Sequence, residues 1–273
     1  MAFNPNELVI ERVRSVEEYN IDTNELEGRY TQIEDPSLQT TTESNDVVDA
    51  MQNVIATFYR GTQGTFGFSN SLFSLDLAAS QFGTKKVIAG AEDKIQVPVS
   101  ETIAIGENGV AKLSYVPVGP EGSEIGFVKV INENNTFGDT YLCSVVNADG
   151  EEQTKGNKLF TLSATDKTIT MPAGVTGKIF VNYVRESANA VSVERKTDGT
   201  PEVKKLIIHA IFCDPCNVNT KYAGVIVCPR AQLDPSSVDL TLTMEGKHAA
   251  SYLLKKEYCN EDGKLFEIIV SEK

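Results

Sequence analysis

The sequence has no tryptophan and only two histidines, His209 and His248. Without tryptophan, a sugar-stacking platform would have to rest on tyrosine or phenylalanine. Two histidines leave little for acid–base chemistry. His209 sits in Leu206-Ile207-Ile208-His209-Ala210-Ile211-Phe212, an apolar run that reads as a buried strand, so a core histidine is expected there. His248 follows Gly246-Lys247 and is expected to open a strand. Phosphate-binding loops, dinucleotide fingerprints, nucleophile elbows and H-E-x-x-H are all missing. No run reaches 18 apolar residues, so no transmembrane helix is expected. The first residues carry no basic or apolar leader region, so no signal peptide is expected either.

Basic residues are also in deficit. Against 38 acidic residues there are 25 basic ones, a net charge of −13. That excludes the basic stripe of a nucleic-acid binder. Five cysteines, an odd number in a long chain, fit reduced thiols made in a cytoplasm. Cys213-Asp214-Pro215-Cys216 is the one chemical motif. Its redox form needs a helix start, and a zinc site needs four ligands. Cys228, Cys259 or His209 could complete a set, but there is no second ligand pair. Incidental thiols and no structural metal are therefore expected. No catalytic residue, cofactor or enzymatic activity follows from the residues.

What is present is strand-like and unevenly charged. Residues 1–50 hold 12 acidic and 3 basic residues, a net of −9; the other 26 acidic and 22 basic residues give −4. Residues 8–19 and 29–34, on either side of a turn cluster at 20–28, read as an acidic β-hairpin. The Thr-rich stretch 37–45 reads as an edge strand or loop. Val54–Tyr59 reads as a buried strand, Arg60-Gly61-Thr62-Gln63-Gly64 as a turn, and Thr65–Phe68 as the returning strand. One segment has helical spacing: Leu72, Leu75, Ala78, Ala79 and Phe82, with Ser71 as N-cap and Gly83 as terminator. After Lys85, short strands alternate with turns at 106–109, 120–122, 147–150, 172–174, 197–199 and 261–263. The pattern predicts a mainly β fold, an antiparallel β-sandwich or barrel with one flanking α-helix.

The order of several segments carries a resemblance. Phe58-Tyr59-Arg60 and Ser69–Ala79 precede Ala210–Asn217, Tyr222–Leu233, Val238–Thr243, Gly246–Ala249 and Leu265–Glu272. In this order they resemble the major tail, or tail-tube, proteins of long-tailed (siphovirus-type) bacteriophages. The resemblance covers most of 50–273, and the N-terminal hairpin more weakly. It implies a β-sandwich or barrel with a flanking helix, and hexameric rings stacked into a tube through which viral DNA passes without specific binding. It implies no catalytic residue and no cofactor. The partners implied are copies of the chain and other tail proteins, with no membrane, in a virion made in the host cytoplasm. Residues 111–200 match least and leave room for an inserted subdomain. The organisation expected is an acidic arm over 1–50 and a tail-tube-like β domain over 51–273.

Three other readings compete. They are another virion component such as a head–tail adaptor, baseplate or capsid decoration protein; a monomeric Ig-like binding module; and a hydrolase on a β scaffold. For the assembling reading, the expected contacts join the acidic segment, through Glu11, Glu17, Glu18, Glu25 and Glu27, to Lys85, Lys86, Lys204, Lys205, Lys255 and Lys256 of another copy.

Overall fold

The structure is a computed structural model that describes residues 7–144, 158–236, 238, 240–244, 246–257 and 263–271. In chain order its elements are β1 (Val9–Asn20), β2 (Leu26–Tyr30), β3 (Ile33–Val48), β4 (Val54–Asn70) and α1 (Leu75–Phe82). Then come β5 (Val87–Ile88), β6 (Ile95–Ala104), β7 (Val110–Lys112), β8 (Phe127–Ile131), β9 (Phe137–Cys143), β10 (Leu159–Ser163), β11 (Thr168–Thr170), β12 (Lys178–Ser187) and β13 (Val191–Ser192). The last four are β14 (Val203–Cys213), β15 (Lys221–Leu233), β16 (His248–Leu254) and β17 (Glu267–Ser271). Strand makes up 55% and helix 3%, so the fold is mainly β with one helix, as the turn-bounded pattern requires.

Two compact units share the chain, Met1–Lys86 with Val193–Lys273, and Val87–Ser192. The first is built on one sheet in the order β2-β1-β14-β15-β16-β4-β3, with β17 beside β15. Its pairings are antiparallel. The end strands β2 and β3 are consecutive in the chain, joined by Thr31 and Gln32, which nearly closes the sheet into a barrel. Alternation sets its interior. In β14, Lys204, Leu206, Ile208, Ala210 and Phe212 are buried, while the residues between them are half-exposed. Leu206 and Ile208 meet Val16 of β1, Phe66 and Phe68 of β4, and Tyr252 of β16 in a core that also takes Leu77 of α1, while Ala210 and Phe212 pack with Tyr222 in a second, smaller cluster. His209 therefore lies on the outward face, correcting the expectation of a core histidine: the strand alternates, and the apolar run hides the phase. Residues 7–50 belong to this sheet, with β1 inserted between β2 and β14.

The helix starts three residues later than its apolar spacing suggests. Ser74 is the N-cap, accepting the Leu77 N–H at 3.3 Å, whereas Ser71 is bound to Glu34. Gly83 ends it in the left-handed region, at φ 65°. A Cβ there would fall 2.2 Å from the Thr200 carbonyl oxygen, so backbone conformation and close approach both require glycine.

Two further expectations fail in β4. Arg60–Gly64 is not a turn: β4 runs unbroken through it, and Gly61, at φ 56°, is the extra residue of a bulge opposite Thr42–Glu43. Val54–Tyr59 is not buried: Ile55 is 67% exposed, Phe58 57% and Tyr59 73%. The distal halves of β3 and β4 pair with each other and close at the Asp49–Asn53 turn, where Asp49 accepts the N–H groups of Met51 and Asn53, both at 2.8 Å.

The second unit is a seven-stranded sheet, β6-β12-β8-β9-β10-β11-β7, with a small β13–β5 ladder. The β9–β10 pair is parallel. Its core includes Ile125, Val128, Phe160, Ile169, Ile179, Val181 and Tyr183, supplied by alternate positions of these strands and the turns between them. It has its own apolar centre and occupies 87–192, a segment that begins upstream of the poorly matching 111–200.

Candidate functional site

Alternation also places charge inside the first unit. Glu18 is in phase with Val16 on β1, and Lys204 is in phase with Leu206 on β14. Both point inward, where Glu18 is fully buried. Lys204 Nζ lies 2.9 Å from Glu18 Oε2 and 3.0 Å from Glu27 Oε2. It also donates to Ser80 Oγ at 2.8 Å, and Ser80 donates on to Glu18 Oε2 at 2.8 Å. The Tyr252 hydroxyl donates to the other carboxylate oxygen, Oε1, at 2.5 Å. Burial alone would depress the lysine pKa, but the Glu18 and Glu27 carboxylates outweigh it and raise the pKa above 10.5. Burial works against the Glu27 carboxylate too. Asn20, Lys204 and Lys85 overcome it and hold its pKa below 4.5.

This network borders a cleft of about 690 Å³ between α1 and residues 194–204. Lys85, Lys86, Lys196 and Lys204 face Glu27, Asp76, Glu194, Asp198 and Glu202, so the walls nearly neutralise themselves. A serine touching a lysine invites comparison with a nucleophile and its base. That chemistry needs a lysine able to accept a proton. Here two carboxylates hold Lys204 charged, and Ser80 already donates to one of them. The cluster is thus built as a structural ion pair.

The same geometry settles where the residues proposed for contacts between copies lie. Glu18, Glu27 and Lys204 bind one another within the subunit. Glu11 pairs with Lys221 at 2.8 Å, and Glu17 with Arg29 and with His209, both at 3.3 Å. Glu25 sits in the β1–β2 turn, receiving the Thr23 hydroxyl at 3.3 Å. Lys86 pairs with Asp76 at 2.5 Å, Lys205 reaches Asn24 Oδ1 at 3.3 Å, and Lys255 binds Gln232. Lys85 and Lys256 are exposed. Most of these charges are therefore engaged locally, because β1 lies inside the sheet beside β14.

Of the thiols, Cys228 is buried in the core, where burial pushes it up to about 12, and Cys213 is buried beside Glu11. Cys216 is exposed, and Cys259 lies outside the described residues. Asp214 accepts the backbone N–H of Cys216 at 2.7 Å, forming the turn. Among the described residues no cluster of three or more metal-ligating side chains occurs. His248 opens β16 as expected, but its ring is buried. It sits 2.8 Å from Gln81 Oε1 and accepts the Ser74 N–H at Nδ1 from 3.4 Å. Those roles require a neutral ring protonated on Nε2, and burial lowers its pKa below 6.5.

The feature that sequence reasoning missed is the projecting β3–β4 arm. Val47, Val48, Met51, Val54, Ile55, Phe58 and Tyr59 are all exposed on it. The arm carries Glu43, Asp46 and Asp49, with one cation, Arg60, directly across from Glu43. The signal was available in sequence: two apolar stretches on either side of Asp49–Asn53, with acidic, Thr-rich residues instead of a second apolar face.

Comparison with known protein families finds no matching family, and comparison with curated proteins finds no relative.

Two predictions follow from the buried groups. Lys204→Met leaves Glu18 buried without its cation and lowers unfolding stability by about 3–5 kcal/mol. Glu18→Gln combined with Lys204→Met recovers a measurable part of that loss. Chemical denaturation checks both, and strictly additive effects would contradict the coupling. For His248 the native ring resists protonation, so the unfolded state binds more protons as pH falls below 6.5. Stability attributable to His248 is present above 6.5 and declines as the pH falls below it. Urea titrations at several pH values should show a decline in wild type that His248→Gln lacks; parallel curves would contradict it.

Proposed function

We propose that this chain is a structural subunit that assembles with copies of itself, and that the assembly is a bacteriophage tail tube. The observation that carries the reading is the β3–β4 arm. An isolated two-stranded ribbon is marginal in water at best. This one exposes seven large apolar side chains, and the ladder beyond Gly64 is not joined by β16. Such an arm is accounted for when another protein surface covers it. A monomeric binding module leaves it uncovered.

Magnitudes favour repeated contacts over a single dimer. Fully burying a large apolar side chain is worth about 1.5–3 kcal/mol. With half of that surface already covered, seven side chains offer on the order of 5–10 kcal/mol. Association costs about 4–15 kcal/mol. One arm contact is therefore weak, and several per subunit, as in rings that stack, are strong. The resemblance of its ordered segments to those of tail-tube proteins supplies the identity of the assembly. The net charge of −13 suits a conduit that DNA passes without sticking.

Thr42 and Thr62 are cross-strand partners with hydroxyl groups 3.1 Å apart, so a two-residue Asn-Gly turn can replace residues 43–61. The shortened chain is expected to fold with an unchanged thermal midpoint and to remain monomeric. The full chain at high concentration is expected to form rings or tubes by electron microscopy and sedimentation. Normal assembly of the shortened chain, or a full chain that stays monomeric at every concentration, would contradict the reading.

A further inference from the structure

The arm needs a receiving surface, and the far end of its own strand carries an apolar one. β4 runs from Val54, at the arm's tip, to Asn70, a length of about 55 Å. β3 pairs with it from end to end, so the tip and Asn70 stand at opposite ends of one ladder. Just past Asn70 the chain presents Leu72 and Phe73, both more than half exposed, before the helix is capped at Ser74. The connection between β15 and β16 comes up beside them. Phe73 and Leu242 line the same hollow of about 160 Å³. Leu242 is 86% exposed and Met244 99%. Phe73 is held in place from below, because its ring stacks on the buried His248 ring with centroids 5.2 Å apart. This end of the unit therefore offers four large apolar side chains in and beside a preformed hollow.

The arm's tip presents a matching shape. Its turn is fixed by Asp49, which accepts the Met51 and Asn53 N–H groups and also the Asn53 side-chain amide, at 3.1 Å. Met51 stands in that turn and is 83% exposed. Val48 and Val54, cross-strand partners beside it, are exposed too. From Val47 to Ala56 the only ionised side chain is Asp49, which is committed to the turn. The tip is thus an apolar projection with one long, flexible side chain at its end.

We propose that the arm tip of one copy seats on the Leu72, Phe73, Leu242 and Met244 patch of a second copy, with Met51 entering the hollow between Phe73 and Leu242. This rests on the reading of the chain as a self-assembling subunit. Methionine adapts to an irregular hollow, and its sulfur packs favourably against an aromatic ring. Val48 and Val54 cover the apolar side chains around it. A subunit does not fill its own hollow, because tip and patch lie at opposite ends of β4. The two surfaces differ, so each copy donates one and receives one, and the contact repeats head to tail instead of stopping at a dimer.

Charge placed on either surface tests this with the full chain. Met51→Asp, and separately Leu242→Asp with Met244→Asp, should each raise the protein concentration needed for assembly by at least about tenfold. All three side chains are almost wholly exposed, so thermal unfolding of each dilute variant should match the wild type. Cross-linking then identifies which surfaces meet. Cys143, Cys213 and Cys228 are buried, and Cys216→Ser with Cys259→Ser removes the other thiols. In that background Met51→Cys together with Met244→Cys should give a ladder of covalent multimers with a short bismaleimide, and either new cysteine alone should give none. Dimers from Met244→Cys alone would mean that patch meets patch, and dimers from Met51→Cys alone that tip meets tip; either overturns the head-to-tail contact. The aspartate variants need no such background and decide the matter if it does not fold. Normal assembly of the Leu242 and Met244 variant overturns this receiving surface, and if Met51→Asp is defective at the same time, arm-mediated assembly still stands. Failure of the wild-type chain to assemble overturns both the surface and the reading beneath it.

Discussion

Strand edges constrain this molecule more than any single contact. A sheet satisfies its backbone only where each strand has a neighbour, and an unpaired edge is a template for whatever strand comes next. The first unit nearly solves the problem by curving until β2 and β3 become the adjoining ends of one sheet. The closure is incomplete in two places. The β3–β4 ladder outruns the sheet that supports it, and the first half of β1 outruns β2. The core, the helix seated on it through Leu77 and the buried ion pair all lie where closure succeeds. The exposed apolar side chains of the arm lie where it does not.

That division has energetic and dynamic consequences. Glu18, Lys204, Ser80 and Tyr252 tie β1, β14, α1 and β16 together in a buried cluster beside the cleft, where each group satisfies the next. Such a network fixes register more than it adds stability, because burying the charges costs nearly what their attraction returns. The arm has no comparable anchor beyond Gly64. It rests on its own ladder and on the turn held by Asp49. A rigid sheet carrying a poorly supported ribbon suits a subunit that folds alone and completes its packing only on assembly.

Much of this was legible in the sequence, and the failures share a cause. The mainly β class, the single helix and its stop at Gly83 followed from periodicity and turn chemistry, which are local. The helix start did not, because Ser71 and Ser74 are both good caps and only Glu34, distant in sequence, decides between them. Val54–Tyr59 read as buried because apolar residues usually are, yet the described fold leaves Val54, Ile55, Phe58 and Tyr59 exposed. Gly61 read as a turn because glycine marks bulges and turns alike. His209 was placed in the core because an unbroken apolar run conceals the two-residue phase, yet that same phase sends Lys204 inward. An in-phase charge on two strands, Glu18 and Lys204, was the sequence signal of the buried pair. Without knowing that β1 adjoins β14, it could not be read.

The central claim is that the arm acquires its packing from another copy. Hydrogen–deuterium exchange at rising protein concentration measures this most directly, because exchange reports how often each backbone amide is uncovered. The account predicts fast exchange over residues 41–61 in dilute protein, and marked slowing there as the protein assembles. The central strands β14 and β15 should stay slow throughout. An arm protected equally at every concentration would mean that it is stable by itself, and would contradict the account.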